Sequence, residues 1–340
     1  MPKTLQNPYR GQGIGPDSAL LRTDPADVGA LLAECPAHAP TPLIAADTLA
    51  DEAGVAALFI KDERGRMGLG SFKALGAAHA IARDAATDDG PRTYVAASAG
   101  NHGMSVAAGA AVFGKSAVIY LAETVPEGFS ERLRAKGAEV VRAGAIYEES
   151  MEAAAVAAAE NGWTLLSDST WEGYTEPALA VMEGYLQMAA EAAAQMDRPP
   201  THILLQAGVG GLAAAVAGYA RRIWGDAPTI VVVEPEAAPA LIESVRAGEL
   251  ATTEGPVSSM GRLDCKVPSV VALSALSRDA DMFLTITEGE AAEGVAWLAA
   301  HGLDTTPSGG AGLAALLAGV PGIDKDARVL TFMSEGADGT

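Results

Sequence analysis

The sequence predicts an α/β protein with parallel-rich sheets and helices on both faces. Short runs rich in apolar and β-branched residues recur along the chain, and Ala-rich helical stretches lie between most of them. Alternation of that kind is the pattern of strand–helix–strand units. The strand runs are also continuously apolar rather than alternating, as expected for strands covered on both sides.

Strands are expected at residues 57–60, 93–97, 117–121, 139–142, 164–167, 202–206, 229–234, 283–287 and 329–333. Helical patterns between them include 73–86, 101–113, 127–136 and 147–161. The segments MEAAAVAAAE and MAAEAAAQM read as helix rather than as low-complexity linker, because alanine is the best helix former. Pro199 and Pro200 mark a boundary between elements over 197–201. Residues 248–269 lack periodicity and hold Gly255, Pro256, Gly261 and Pro268, which predicts a long functional loop. No sustained repeat is present.

The chain has 340 residues, enough for two domains or one large α/β unit, and 49% of them are apolar. Only two cysteines, Cys35 and Cys265, are present, far apart. They imply no disulfide framework and no metal-type spacing, so no metal is expected and a reducing cytoplasm is the natural location. The first residues, MPKTLQNPYRGQG, are polar and lack the apolar centre of a signal peptide. No segment approaches the ~20 apolar residues needed to span a bilayer. The net charge of −20 argues against a nucleic-acid partner, which would need clustered Lys and Arg.

Four constellations carry chemistry. Ser71, Phe72 and Lys73 open a helix after ALFIKDERGRMGLG. Apolar neighbours Phe72, Ala74 and Leu75 should partly desolvate Lys73, lowering its pKa and making the amine nucleophilic toward carbonyls. An ordinary surface lysine is the plain alternative. Second, Ser98, Ala99, Gly100, Asn101, His102 and Gly103 lie between the strand TYVAA and a helix start. Backbone donors there suit a carboxylate, and Asn101 either hydrogen-bonds a planar ligand or simply caps the helix. His102 is read as packed or capping, not catalytic.

Third, Gly208, Val209, Gly210, Gly211 and Leu212 follow the strand HILLQ and open another helix. Glycines let a chain approach a phosphate, and a helix N-terminus favours its charge. The same stretch matches a loose G-x-G-x-x-A pattern, with Glu234 ending the next strand where a dinucleotide fold places its ribose acid. A Rossmann oxidoreductase is therefore a rival on this motif, and a plain tight turn is a third reading. The fourth set sits near strand ends: SDSTWEGY from Ser167 to Tyr174, PSGGAG from Pro307 to Gly312, and Ser334-Glu335-Gly336. Ligands in open α/β sheets bind outside the carboxyl ends of strands. Asp168 is then a base facing the cleft or a loop cap. Ser308 holds an anion or caps a helix, and Ser334 offers a neutral hydroxyl.

Taken in order, KDERGRMGLGSFKALG, AGNHG, SDSTWEGYTEPALAVMEGY, HILLQAGVGGLAA, VVEPE, SSMGRLDCKVPS, SGGAGLAAL and SEGAD resemble the pyridoxal-phosphate (PLP) enzymes of the tryptophan-synthase β-type fold, fold type II. Within them the chain is most similar to the diaminopropionate ammonia-lyases. The likeness runs from about Ile60 to Asp338, most of the chain. Single motifs such as the glycine turn are common, whereas their combination with DSTWEGY is specific.

The resemblance implies a two-domain fold, with residues 81–172 as the smaller domain and 1–80 plus 173–340 as the larger. It implies that Lys73 anchors PLP covalently, that Asn101 hydrogen-bonds the cofactor's phenolic oxygen, and that Ser334 meets the pyridine nitrogen. Gly208, Val209, Gly210, Gly211 and Leu212 would hold the phosphate through backbone N–H groups. Ser98, Ala99, Gly100, Asn101 and His102 would receive the substrate carboxylate, with Asp168 an acid/base at the α-carbon. A homodimer is implied by the likeness alone.

Two departures bear on substrate. The ammonia-lyase pattern has an aspartate before G-N-H-G, associated with the D-isomer, and here that position is Ala99. An S-G-E-S-G-like stretch is replaced by Thr305-Thr306-Pro307-Ser308-Gly309, closer to the serine/threonine dehydratases. The implied reaction is α,β-elimination from a small amino acid, 2,3-diaminopropionate giving pyruvate and ammonia, with Lys73 or Asp168 taking the α-proton. A neutral hydroxyl at Ser334 leaves the pyridine nitrogen unprotonated, which favours prompt elimination over transamination or racemisation. The rivals are a PLP dehydratase or β-replacement enzyme for serine, threonine or hydroxyaspartate, the Rossmann oxidoreductase, and a non-enzymatic metabolite binder in which Lys73 is inert.

Overall fold

The computed structural model describes residues 2–15 and 21–337. The last residue of the SEGAD stretch, Asp338, lies outside them. Strands β1 (Lys3–Gln6), β2 (Leu43–Ala45) and β3 (Ala57–Asp62) come first. Next, β4 (Thr93–Ala97), β5 (Ser116–Leu121), β6 (Glu139–Arg142) and β7 (Thr164–Leu165) form a sheet of their own, all parallel, in the order β6-β5-β4-β7. The chain then returns: β8 (His202–Gln206), β9 (Thr229–Pro235), β10 (Met282–Ile286) and β11 (Arg328–Met333) join the first three in a seven-stranded sheet, β1-β10-β9-β8-β11-β3-β2. Its interior pairs are parallel, and β1 and β2 close the two edges antiparallel. β11 sits between β8 and β3, pairing Val329 with both His202 and Leu58.

The buried strands are the ones the apolar runs predict, and Ile203, Leu205, Val231, Phe283 and Val329 are fully buried. The two antiparallel edge strands are a finding beyond the sequence reading. KTLQ is short, half polar and mostly exposed, as edge strands are, so it carries no apolar run to see. β7 is also shorter than expected. The Ser167 N–H donates to the Tyr174 hydroxyl at 2.9 Å instead of to a neighbouring strand, and the chain turns out of the sheet there. That exit is what aims Asp168 away from the strand.

The helix Lys73–Thr87 is wedged between the helices Asn101–Val112 and Glu176–Gly184. A Cβ at Gly76 would lie 2.7 Å from the Tyr185 ring and 2.8 Å from the Val181 carbonyl, so only glycine allows this approach. The crossing fixes where Lys73, the first residue of its helix, can reach.

Beneath the turn before Lys73 lies a fully enclosed charge network. Arg66 donates to Glu63 at 2.7 Å and to Glu191 at 2.7 Å, and Lys61 pairs with Glu191 at 2.8 Å. Thr41 contributes its hydroxyl to Glu63 and its carbonyl to Lys61, each at 2.6 Å. Two cations balance two anions, and the network ties the segment leading to Lys73 to the helix Leu186–Gln195. Against the pull of burial, the hydrogen bonds and charges of Arg66 and Lys61 hold Glu191 down at a pKa of about 2. A depressed carboxylate pKa means stability that is present above the ordinary value of 4.5 and lost as pH falls toward about 2. Arg66→Ala strands the buried Glu63 carboxylate, leaves Glu191 with Lys61 alone, and is expected to cost about 3–5 kcal/mol. Urea denaturation at pH 7 checks it, and a loss under ~1 kcal/mol would show the network to be dispensable.

Candidate active site

Lys73 reaches the carboxyl ends of the large sheet because its turn is bound to the end of β11. The Phe72 N–H donates to the Ser334 carbonyl at 3.0 Å, and the Gly336 N–H to the Gly70 carbonyl at 3.0 Å. Ser334 is in turn held by its own N–H on the Gly309 carbonyl at 3.2 Å, and Gln206 donates to the carbonyls of Gly309 and Phe332. The sequence's SFK, SGGAG and SEG motifs are thus one hydrogen-bonded surface.

Asp168 approaches from the other sheet. Its carboxylate forms an ion pair with the Lys73 ammonium, and the two side chains are about a fifth exposed, 22% and 21%. The ammonium also lies 5.1 Å from the Phe72 ring centre and 5.6 Å from that of Tyr185. The expectation of a lowered lysine pKa is overturned here. Burial does pull it down, as Phe72, Ala74 and Leu75 suggested, but the Asp168 carboxylate outweighs burial and the net direction is up. Burial likewise pushes Asp168 up, and the Lys73 charge brings it below the usual carboxylate range. Local sequence showed the desolvation; the partner 95 positions away was invisible.

The glycine turn closes the third side. Gly210 has φ +101, a left-handed conformation, and delivers the helix Gly211–Trp224, whose first turn has no side-chain cap. A Cβ on Gly208 would sit 3.0 Å from the Cys265 sulfur and from the Leu263 backbone. Burial pushes the Cys265 thiol up to about 12, so it packs as a neutral group. The DSTW loop is fastened to this turn: Thr170 and Ser269 hydroxyls share a 2.7 Å hydrogen bond, and the Ser269 N–H donates to the Val209 carbonyl at 3.0 Å.

Asn101 is the first residue of its helix, not its cap. Its side-chain amide donates to Glu335, which also accepts from the Thr306 hydroxyl and pairs with Arg262 at 3.0 Å. His102 is buried, donating from Nε2 to the Leu166 carbonyl at 2.8 Å, in keeping with a packing role. Ser308 caps no helix; its buried hydroxyl accepts the Arg262 N–H at 3.1 Å. Ala99, Gly100 and Asn101 line a cavity of about 80 Å³ with Leu69, Gly70 and Arg262. Lys73 thus pairs with Asp168, its turn is bonded to Ser334, and Asn101 reaches Glu335 next to Ser334.

Three participants had no role assigned from sequence. Glu335 and Arg262 lay inside quoted motifs, but only the fold shows them paired. Tyr185 ends the longer SDSTWEGYTEPALAVMEGY stretch, and its buried phenol, beside the Lys73 ammonium, is pushed up to about 12 by burial. A partly buried amine at Lys73, an uncapped helix start and a glycine turn too tight for side chains together fit a phosphate-bearing carbonyl cofactor.

Glu234 does not fit the dinucleotide reading. It is fully buried, and its carboxylate accepts the N–H groups of Leu241 at 2.7 Å and Ile242 at 2.8 Å, serving a helix start rather than a ribose. Among the described residues no helix is long and apolar enough to cross a membrane, and no cluster of three metal-ligating side chains is found.

Comparison with known proteins shows the family. Residues 35–335 match the family described as pyridoxal-phosphate dependent enzyme. Diaminopropionate ammonia-lyase of Escherichia coli K12 is 32% identical over 337 residues, covering 88% of this chain and 85% of that one. A rat serine dehydratase-like protein is 30% identical, covering 85% and 86%. The crystal structure of the Escherichia coli diaminopropionate ammonia-lyase with an aminoacrylate–PLP azomethine intermediate superimposes with a TM-score of 0.87 at 29% identity, over 99% of this chain and 94% of that one.

Proposed function

The chain belongs to the pyridoxal-phosphate-dependent enzymes of fold type II, and from that premise we propose that it is an ammonia-lyase that eliminates the β-substituent of a small amino acid, 2,3-diaminopropionate in the first instance. The observation that carries this reading is the Lys73–Asp168 pair at the mouth of the uncapped, glycine-led helix. The similarity to the Escherichia coli diaminopropionate ammonia-lyase supplies the substrate.

When bound, pyridoxal phosphate supplies the electron sink that makes an α-proton removable. The backbone N–H groups of Gly208 to Leu212 hold its phosphate at a helix N-terminus. Lys73 would anchor the cofactor covalently, and its amine is placed to carry a proton at the α-carbon. The Lys73 ammonium is what keeps the Asp168 pKa low, while burial pushes it up. Asp168, beside that amine, would serve as the acid/base partner at the α-carbon. The 98–102 loop takes the α-carboxylate. Asn101 and the Ser334 hydroxyl would help hold the cofactor ring.

A dehydratase acting on a β-hydroxy amino acid is the second reading. It is favoured by the Thr305-Thr306-Pro307-Ser308-Gly309 stretch and the serine dehydratase-like relative. We take residues 81–172 as the smaller domain, because all four strands of the smaller sheet lie within them. A cytoplasmic homodimer is part of the same proposal, and sedimentation checks the dimer. Purified protein is expected to be yellow and to release keto acid and ammonia from diaminopropionate in a panel with serine, threonine and hydroxyaspartate. A colourless protein that takes up no added pyridoxal phosphate would sink the proposal.

A further inference from the structure

Two central strands of the large sheet diverge at their carboxyl ends. β8 and β11 pair at His202 with Val329, Ile203 with Leu330 and Leu204 with Thr331, and the ladder stops there. Each strand runs on with its outer neighbour, β8 with β9 as far as Gln206 against Val233, and β11 with β3 as far as Met333 against Asp62. The fork that opens between them has the glycine turn, from Gly208, on one lip and Ser334 on the other. One side chain spans it. The buried Gln206 amide donates to the Phe332 carbonyl at 2.8 Å and to the Gly309 carbonyl at 3.0 Å. The Gly309 carbonyl also accepts the Ser334 N–H at 3.2 Å, so one acceptor joins Gln206 to Ser334. Behind the amide the helix Ala311–Ala318 comes too close for a side chain: a Cβ on Gly312 would lie 2.6 Å from the Thr331 hydroxyl and 3.2 Å from Gln206 Oε1. That Oε1 has no partner among the described residues. A buried acceptor without a partner costs stability, and an apolar side chain of similar size would avoid the cost. The amide is explained by what its two donors hold.

We propose that Gln206 is a positioning residue: its amide sets the width of the fork between the glycine turn and Ser334, and with it the seat of a cofactor held at both lips. The inference rests on the elimination reading above and adds a residue to it. Beyond Leu204 and Thr331 no ladder pair fixes the separation of the two lips, so that task falls to the side chain that bridges them. Gln206 is suited to it, with both donors engaged and the Gly312 backbone packed behind. A group bound at its phosphate on one lip and at its ring on the other takes its tilt from their separation. The face it turns to Lys73 and Asp168 follows from that tilt. The tolerance is narrow, since a misplacement of about 1 Å can cost on the order of a hundredfold in rate even when it originates far from the reacting atoms. Gln206 acts through Gly309 and Ser334, not by contact with the substrate.

The test compares wild type, Gln206→Met and Thr331→Val by thermal melting, by pyridoxal-phosphate affinity, by the visible circular dichroism of the loaded protein and by turnover of L-2,3-diaminopropionate. Methionine keeps the length and burial of Gln206 and has no donor. Gln206→Met should bind pyridoxal phosphate more weakly and show a reduced dichroic band, with kcat lower by about ten- to a hundredfold and KM little changed. Thr331→Val removes the adjacent buried bond, from the Thr331 hydroxyl to the Leu204 carbonyl at 3.2 Å, where the same two strands are still paired. It should melt lower as well, yet leave the dichroic band and kcat as in wild type. Should Gln206→Met not fold, Gln206→Asn, which keeps the amide and draws it back by one methylene, is expected to move the same readouts in the same direction. A yellow, active wild type whose dichroism and kcat are unmoved by the Gln206 variants, or moved equally by Thr331→Val, would overturn the proposal and leave the elimination reading intact. A wild type that takes up no pyridoxal phosphate would overturn both.

Discussion

Lys73→Ala is expected to lower turnover by several orders of magnitude and to leave a protein that borohydride cannot fix to pyridoxal phosphate. The size follows from one residue holding two roles, covalent anchor and proton carrier, whose loss is not shared out among neighbours. Other lysines are committed elsewhere: Lys266, next to Cys265, is held by Asp264 at 2.6 Å and by the carbonyls of Ala237 and Pro256. Lys61 is fully buried and committed to Glu191 and the Thr41 carbonyl. Lys115 is held by Asp89 and the Gly90 carbonyl, at the start of β5 and away from the glycine turn. The variant should still fold, because the Phe72–Ser334 and Gly70–Gly336 backbone bonds that shape the turn do not involve the lysine side chain. Mass spectrometry of borohydride-treated wild type should place the label on Lys73. A label on another lysine, or a variant that stays yellow without added amine, would show that the anchor lies elsewhere.

The interior of the fold was legible because its signal is local. An apolar run such as HILLQ or TIVVVEP needs no partner to be recognised, and the strands fall there. The edges were not, since β1 and β2 are three or four residues long and owe their pairing to neighbours far along the chain, Thr285 against Lys3 for example. The site divides the same way. Lys73, Asn101 and the glycine turn stand out by their position between strand and helix. Glu335 and Tyr185 do not, because a buried carboxylate and a buried phenol acquire meaning only from what the fold sets beside them. The direction of the Lys73 pKa is the plainest case. Three apolar neighbours in sequence argue one way, and one distant carboxylate decides the other. The Met67 backbone, with φ 51 in the turn before Lys73, is equally unreadable, since methionine carries no preference for that conformation.

The second large effect concerns which face of the substrate loses its proton. Asp168→Asn is expected to lower turnover of L-diaminopropionate by about 10²–10⁴-fold, the range for a general acid/base. Asparagine preserves shape and can still hydrogen-bond Lys73, so a merely structural Asp168 would tolerate the change and the rate would hardly move. A base can take only a proton presented to it at about 3–3.5 Å in the reactive arrangement. Asp168 and Lys73 form one contact pair, whereas Ala99 lines the cavity with Arg132 and has no ionisable group. The L-isomer should therefore be used and the D-isomer poorly. Ala99→Asp should raise D-isomer turnover with little effect on the L-isomer, and in Asp168→Asn the D-isomer gain from Ala99→Asp should persist. Separate assays of the two enantiomers by keto-acid release decide it. Efficient wild-type turnover of D-diaminopropionate would overturn the assignment of faces, because no carboxylate stands at position 99 to serve it, while the elimination chemistry anchored at Lys73 would remain.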